Sequence, residues 1–230
     1  IQKEIGTMAQ DNEHNNDEYS LKSPSELGLA AVAYIKEDRL SSQPLRILDI
    51  GCGNGRDALY VVEQLNCSVL GIDISEAAIE IASSTALEAQ RENVQFRCCD
   101  FRELKGDEYD IVLSSGVYHF LNKNERRVFR ETVMRLLKPN GLLFLSTLSV
   151  RDTEYYGKGT PLPEEPNSFL YEDSPVKRVY LHFCTREELV EDFAFLEIKE
   201  LYEHEQYDPR AKGPVNHIPW ILIGEYADTL

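Results

Sequence analysis

From Arg46 onward, short apolar runs alternate with stretches of helical periodicity. Arg46–Ile50 is a buried-strand run that ends in glycines, and Asp57–Leu65 predicts a helix. Ser68–Asp73 reads as a second strand, and Ser75 caps a helix running to about Gln90. Val94–Cys99 and Tyr109–Ser115 follow as third and fourth strands. A helix from about Asn124 to Leu137, a Pro139-Asn140-Gly141 turn and a fifth strand, Leu142–Leu148, complete the series. Repeated βα units predict an α/β fold, doubly wound around a mostly parallel sheet, with right-handed crossovers and helices on both faces.

The flanks read differently. Residues 1–20 carry five acids, one base and little that is apolar, which predicts a mobile N-terminal arm over residues 1–22. Ser23-Pro24-Ser25-Glu26 signals a helix start, with Ser23 as the cap, Pro24 in the first helical position and Glu26 closing a capping box. Leu27, Leu29, Ala30, Ala33, Tyr34 and Ile35 would form that helix's apolar face. Arg151–Cys184 breaks the βα rhythm and holds four of the ten prolines. Thr185-Arg186-Glu187-Glu188 is a second capping box, opening a helix to about Phe193. Glu197–Tyr207 and Trp220–Tyr226 read as the last strands. Residues 23–230 are therefore expected to be a single domain, with residues 151–184 inserted in it as a cap.

Charge narrows the function. With 24 Lys+Arg against 40 Asp+Glu, the net charge is −16, a field that repels phosphate backbones and anionic membrane surfaces. Neither nucleic acid nor membrane is an expected partner. No apolar run approaches the length of a membrane span, and Ile1–Ser20 resembles neither a signal peptide nor a basic transit peptide. Five cysteines without a C-x-x-C pattern suit a reducing, cytoplasmic setting.

The sharpest chemical signal is Asp49-Ile50-Gly51-Cys52-Gly53-Asn54-Gly55-Arg56, a buried strand turning through glycines into a helix. Glycines let the backbone bend and let a ligand approach where a Cβ would stand. Arg56 occupies the third glycine position of the dinucleotide fingerprint, which argues against a nicotinamide-dependent oxidoreductase. Asp73 ends the second strand 22 residues after Gly51, beside the loop, where a carboxylate can accept both hydroxyls of a ribose. The alternative for Asp73 is a solvated strand end. Asp100-Phe101 ends the third strand, where an acid could bind an adenine amino group while the ring lies against the base. A surface turn is the alternative there.

Together, Asp49 to Gly55, Gly71-Ile72-Asp73-Ile74-Ser75, Asp100-Phe101 and the Leu136-to-Leu143 turn resemble the successive motifs of class I S-adenosylmethionine-dependent methyltransferases. The resemblance spans about Pro44 to Ser149. It implies a Rossmann-like, seven-stranded sheet whose last strand, Trp220–Tyr226, runs antiparallel. It also implies S-adenosylmethionine as cofactor, held at Asp49, Gly51, Cys52, Gly53, Gly55, Asp73, Ile74, Asp100, Phe101 and Ser115. Gly53-Asn54-Gly55-Arg56-Asp57 is similar to the glycine loop of the tellurite-resistance and thiopurine-type enzymes, which methylate small molecules. The methyl of a sulfonium is already activated, so transfer mainly needs an acceptor held in line with it. A base is needed only where the acceptor must lose a proton.

Ser114-Ser115-Gly116-Val117-Tyr118-His119-Phe120 lacks the Pro-Pro-aromatic pattern of the family's base-modifying members, in agreement with the charge. Tyr118 and His119 are the candidate catalytic groups, with local packing as their alternative. His182 and His217 could reach over the carboxyl edge of the sheet, or could be ordinary loop histidines. Scattered histidines without ligand spacing predict no metal site, and the cysteines read as small hydrophobes. The aromatic insert suits a lid over a small-molecule acceptor, or an interaction loop. A cofactor-binding partner subunit without transfer activity is the competing function. Neither the acceptor nor the oligomeric state is legible in the sequence.

Overall fold

A computed structural model describes residues 23–38, 43–106, 108–174, 177–207 and 216–227. The predicted N-terminal arm lies outside the described residues.

The main sheet is built from β1 (Leu45–Ile50), β2 (Cys67–Asp73), β3 (Val94–Cys98), β4 (Tyr109–Ser115), β5 (Leu137–Leu148), β9 (Leu196–Glu203) and β12 (Pro219–Tyr226). Its order is β3-β2-β1-β4-β5-β12-β9. The pairs among β1 to β5 are parallel, and β12 runs antiparallel to both of its neighbours. The Rossmann-like, seven-stranded sheet with an antiparallel last strand is thus present as expected. Helices α1 (Glu26–Asp38), α2 (Arg56–Gln64), α3 (Glu76–Glu88), α4 (Lys123–Leu136) and α5 (Arg186–Asp192) flank it.

Adjacent strand residues explain the continuous apolar runs. Ile47 packs into one core with Ala31, Val61 and Phe144, while Leu48 packs into the opposite core with Phe129 and Val133. Side chains alternate across a strand, so a sheet covered on both faces needs apolar residues at successive positions. Each fully buried Leu or Ile contributes about 1.5–3 kcal/mol, and the central strands hold most of them.

Two expectations need correction. The first helix starts at Glu26 with Ser25 as its cap, because Ser25 Oγ accepts from Gly28 N at 3.1 Å. Its buried face is Leu27, Ala31, Val32 and Ile35, and Leu29 is 41% exposed. The Pro139-Asn140-Gly141 turn is absorbed into β5, where Asn140 takes a left-handed φ of 61° and the register against β4 shifts. The insert that breaks the βα rhythm has strands of its own. Thr160–Pro161 (β6), Ser168–Ser174 (β7) and Lys177–His182 (β8) make a three-stranded antiparallel sheet. Its core, around Leu148, Leu181 and Phe183, includes Phe120, Tyr155, Tyr156 and Phe169. A two-stranded ribbon, β10 (Gln206–Tyr207) with β11 (Asn216–His217), leads into β12.

Candidate functional site

The parallel strands end at one edge of the sheet, and the glycine loop is pinned there by backbone groups. Gly51 N and Cys52 N both donate to Ile72 O, at 2.8 and 3.0 Å. Gly51 has a φ of 74°, and a Cβ on it would collide with Val117. Gly53 has a φ of 53°, and a Cβ there would meet nothing within 4 Å, so the loop leaves open space at that point. Asp73 fastens the loop from β2. Its Oδ2 accepts from Gly53 N at 2.9 Å and its Oδ1 from Ser75 N at 2.8 Å. A carboxylate has about four acceptor sites, so each oxygen keeps capacity for a further donor.

The cleft beside this loop is lined by Gly51, Gly53, Asp73, Ile74, Asp100, Phe101 and Ser115 among the expected positions. Ile50, Ile72, Cys99, Gly116, Val117, Phe120, Leu121 and Glu125 line it as well. The sequence signal that could have found Gly116 is a glycine directly after the fourth strand, and it has a φ of 70°. Ser25 was also missed. Its N and Oγ each donate to Asp57 at 2.6 Å, and Ser115 Oγ donates to Ser25 Oγ at 3.3 Å. The first turn of α1 is thereby clasped to the loop.

Asp49, Cys52 and Gly55 stand behind the lining. Asp49 is 2% exposed, and its Oδ2 is buried without a hydrogen-bond partner. Burial raises its carboxyl well above the usual range, and Asp57 and Asp73 add to the effect against the opposing charge of Arg56. Cys52 packs its sulfur toward Gly71, and the Cβ position of Gly55 is filled by Phe96 and Ala82. Asp100 caps a short 3-10 turn, and Arg102 donates to both of its oxygens. Burial pushes the Asp100 carboxyl up, but the hydrogen bonds and charge of Arg102 outweigh it and hold it below the usual value. Phe101 is largely buried and packs edge-on against Phe129 with centroids 5.5 Å apart.

The expected catalytic pair separates. Tyr118 is withdrawn from the cleft into the core. Its hydroxyl donates to Asp192 at 2.6 Å and accepts from Arg130 at 2.7 Å. Burial, with the neighbouring Asp192 charge, drives that phenol far above its usual value. His119 is buried against Phe120 with its Nδ1 unpartnered, 3.7 Å by its Cε1 from where a Cβ on Gly116 would lie. Burial and the charge of His217 push it down to about 3, with a smaller effect of His182 and an opposing one of Asp152.

The other two histidines differ in their partners. His182 shares Nδ1 with Ser168 and Nε2 with Glu188, both at 2.8 Å. Glu188 therefore completes only half of the expected capping box: its backbone N donates to Thr185 Oγ1, while its carboxylate serves His182. His217 Nδ1 lies 2.8 Å from Asp152 Oδ2. Among the described residues, His182, Cys184 and Glu188 bring three ligand-type atoms within 4.8 Å of one another. His182 is already satisfied, and the guanidinium of Arg126 sits 3.7 Å from Glu188, which opposes a cation there.

Comparisons agree with this geometry. Residues 47–141 match the model of a methyltransferase domain. A ubiquinone biosynthesis O-methyltransferase of Rhizobium etli is 37% identical over 117 residues, 49% of this chain and 46% of that protein. A malonyl-[acyl-carrier protein] O-methyltransferase of Bacillus cereus is 29% identical over 164 residues, 66% of this chain and 58% of that protein. The chain thus spans about half the length of the curated relatives it matches. An S-adenosylmethionine-dependent methyltransferase structure from Methanosarcina mazei superposes with a TM-score of 0.69 at 23% identity, covering 84% of this chain and 97% of that one. In its motifs, its strand order and these relatives, the chain is similar to class I S-adenosylmethionine-dependent methyltransferases, with residues 47–141 matching a methyltransferase domain.

Proposed function

We propose that the protein transfers a methyl group from S-adenosylmethionine to a small-molecule acceptor by in-line displacement. The observation that carries this reading is the glycine loop tied by Asp73 to the rim of a cleft with mostly apolar walls. The cofactor would supply a methyl carbon activated by its positive sulfur.

The residues suit such a ligand. Asp73 keeps acceptor capacity for a ribose diol, the open space at Gly53 admits a close approach, and Phe101 offers an apolar edge to a base. The unpartnered Oδ2 of Asp49 and the nearby Asp57 and Asp73 favour a cationic ligand at the loop. Ser115, bridged to Ser25 and Ser146, lines the cleft as well. The insert acts as a lid that excludes water from the acceptor.

The similarity to a ubiquinone biosynthesis O-methyltransferase supports an acceptor of that scale. The net charge of −16 speaks against nucleic acid. Cys52, Cys67, Cys98, Cys99 and Cys184 are thiols, which fits a reducing, cytoplasmic compartment. No helix among the described residues is long and apolar enough to cross a membrane.

Isothermal calorimetry tests the reading. S-adenosylmethionine should bind with micromolar affinity, and Asp73→Ala should weaken it strongly. A flat isotherm with millimolar cofactor would overturn the proposal. Saturable binding without methylation of any acceptor in a metabolite panel would favour a partner subunit instead.

A further inference from the structure

We propose that His217 and Asp152 form a proton-accepting dyad at an acceptor site between Gly116 and Tyr155, and that the acceptor is a small aromatic compound bearing an acidic hydroxyl. The inference rests on the methyl-transfer reading of the cleft and adds to it the chemistry of the second substrate.

Asp152 directly follows the region of β5, and His217 directly precedes β12, its antiparallel neighbour. Both therefore lie at the carboxyl edge of the sheet, one strand over from Ser115, which pairs with Ser146 of β5. Asp152 is 2% exposed and fully committed. Its Oδ1 accepts from Glu154 N at 3.0 Å and Tyr155 N at 2.8 Å, and its Oδ2 accepts from Ile218 N at 3.2 Å. These donors and His217 hold the carboxylate ionised: burial alone would raise it, yet it lies below the usual value. A fixed negative charge thus stands against Nδ1 of His217.

That placement selects the tautomer. With Nδ1 carrying the proton toward Asp152, Nε2 keeps its lone pair, and about a third of the side chain is open. The Nδ1 contact is close but off the line of a good hydrogen bond, as catalytic contacts often are before substrate binds. His182, with both ring nitrogens taken, has no such capacity.

A second observation points to a ligand at the same place. His119 Nδ1 is buried without a partner, close to Gly116 of the cleft wall, and the ring feels the charges of His217, Asp152 and His182. Phe120 lines the cleft and also packs into the core of the insert. The ring of Tyr155 stands edge-on to His217 at 6.4 Å. Aromatic walls suit a flat acceptor. A phenolic hydroxyl titrates near 10, within reach of an imidazole base, whereas an aliphatic hydroxyl is far weaker as an acid.

The step balances. The acceptor oxygen forms its new bond to the methyl carbon as the carbon–sulfur bond breaks, and that electron pair passes to sulfur. The hydroxyl proton moves to Nε2 of His217. The positive charge lost at sulfur reappears on an imidazolium stabilised by Asp152.

Two measurements on the full chain test this. Nitrogen-15 NMR of the cofactor-free protein should show neutral His217 as the Nδ1–H tautomer, and Asp152→Asn should move the tautomer population toward Nε2–H. A neutral Nε2–H tautomer in the wild type overturns the dyad. The second uses catechol as the acceptor probe with S-adenosylmethionine. The wild type should form the monomethyl ether, and His217→Gln should do so at least 100-fold more slowly with cofactor affinity unchanged. Equal rates, or no ether from the wild type, overturn the proposal. The calorimetric isotherm for the cofactor tells this failure apart from failure of the methyl-transfer reading. If Asp152→Asn does not fold, His217→Gln and the wild-type tautomer still decide.

Discussion

The two sides of the cleft are built by different means. On the glycine-loop side, backbone groups and one carboxylate tie the loop to the second strand: Ile72 O, Gly53 N, Ser75 N and Asp73. On the insert side, side chains do the work. Arg126 alone donates to Leu121 O and Tyr180 Oη at 2.9 Å and pairs with Glu165 at 3.0 Å. Backbone-built sites are rigid and tolerant of surface change, whereas a buried side-chain network stands or falls with each member. A shared cofactor suits the first construction, and an acceptor peculiar to one enzyme suits the second.

The largest effect that could break this contrast is expected at Arg126. Arg126→Met removes a 4%-exposed guanidinium and leaves Glu165 and Glu188 without their cation. Breaking a buried pair costs about 3–5 kcal/mol. Urea unfolding followed by Trp220 fluorescence should show it, since Trp220 Nε1 bonds Cys184 O at the end of the insert. A loss below about 1 kcal/mol would mean that the network does not hold the insert.

Asp73→Ala comes next, on the opposite side. It should weaken cofactor binding at least about 30-fold, near 2 kcal/mol, because both the ligand contact and the loop tether vanish. Stability should fall less than for Arg126→Met, which two calorimetric and denaturation series on the same variant would check.

His119 sharpens the contrast through pH. Its folded value of about 3 lies below its ordinary one, so the unfolded chain takes up the proton first. Its contribution is complete above about pH 6.5 and falls away as pH drops toward 3, with a slope of up to about 1.4 kcal/mol per pH unit. His119→Phe should flatten the stability curve between pH 6.5 and 4. Asp152 and Glu188, whose values are lowered, add losses only below about pH 4.5. An unchanged slope in the variant would place the pH dependence elsewhere.

Arg102→Ala should have the smallest effect, under about 0.5 kcal/mol of stability, because the Arg102 side chain is largely exposed. It also frees Asp100, so any change in cofactor affinity reads out that carboxylate directly.

The sequence was most legible where one local rule acts alone. Continuous apolar strands and the glycine loop follow from burial on two faces and from positive φ, and both are plain in Ile47 to Gly55. It was least legible where a residue has two tertiary partners. Ser25 outcompetes Ser23 as the cap because Asp57, 32 residues away, fixes it in place. Tyr118 sits next to the cleft in sequence, but Asp192 and Arg130 draw its hydroxyl into the core. Glu188 looked like a capping-box acid and serves His182 instead. The insert's small sheet was hidden because its strands bury polar groups such as Ser168 and His182 beside Leu181 and Phe183, which erases a clean alternation.

One consequence concerns biosynthesis. Among the described strands, β12 is the last to leave the ribosome, yet it is the one that joins β5 to β9 in the finished sheet. Until it arrives, the nascent chain exposes an open edge on β5, a strand apolar over most of its length. Such an edge is a template for pairing with other chains. Synthesis that stalls between Glu203 and Pro219 would therefore release a polypeptide with its glycine loop complete and its most adhesive surface uncovered.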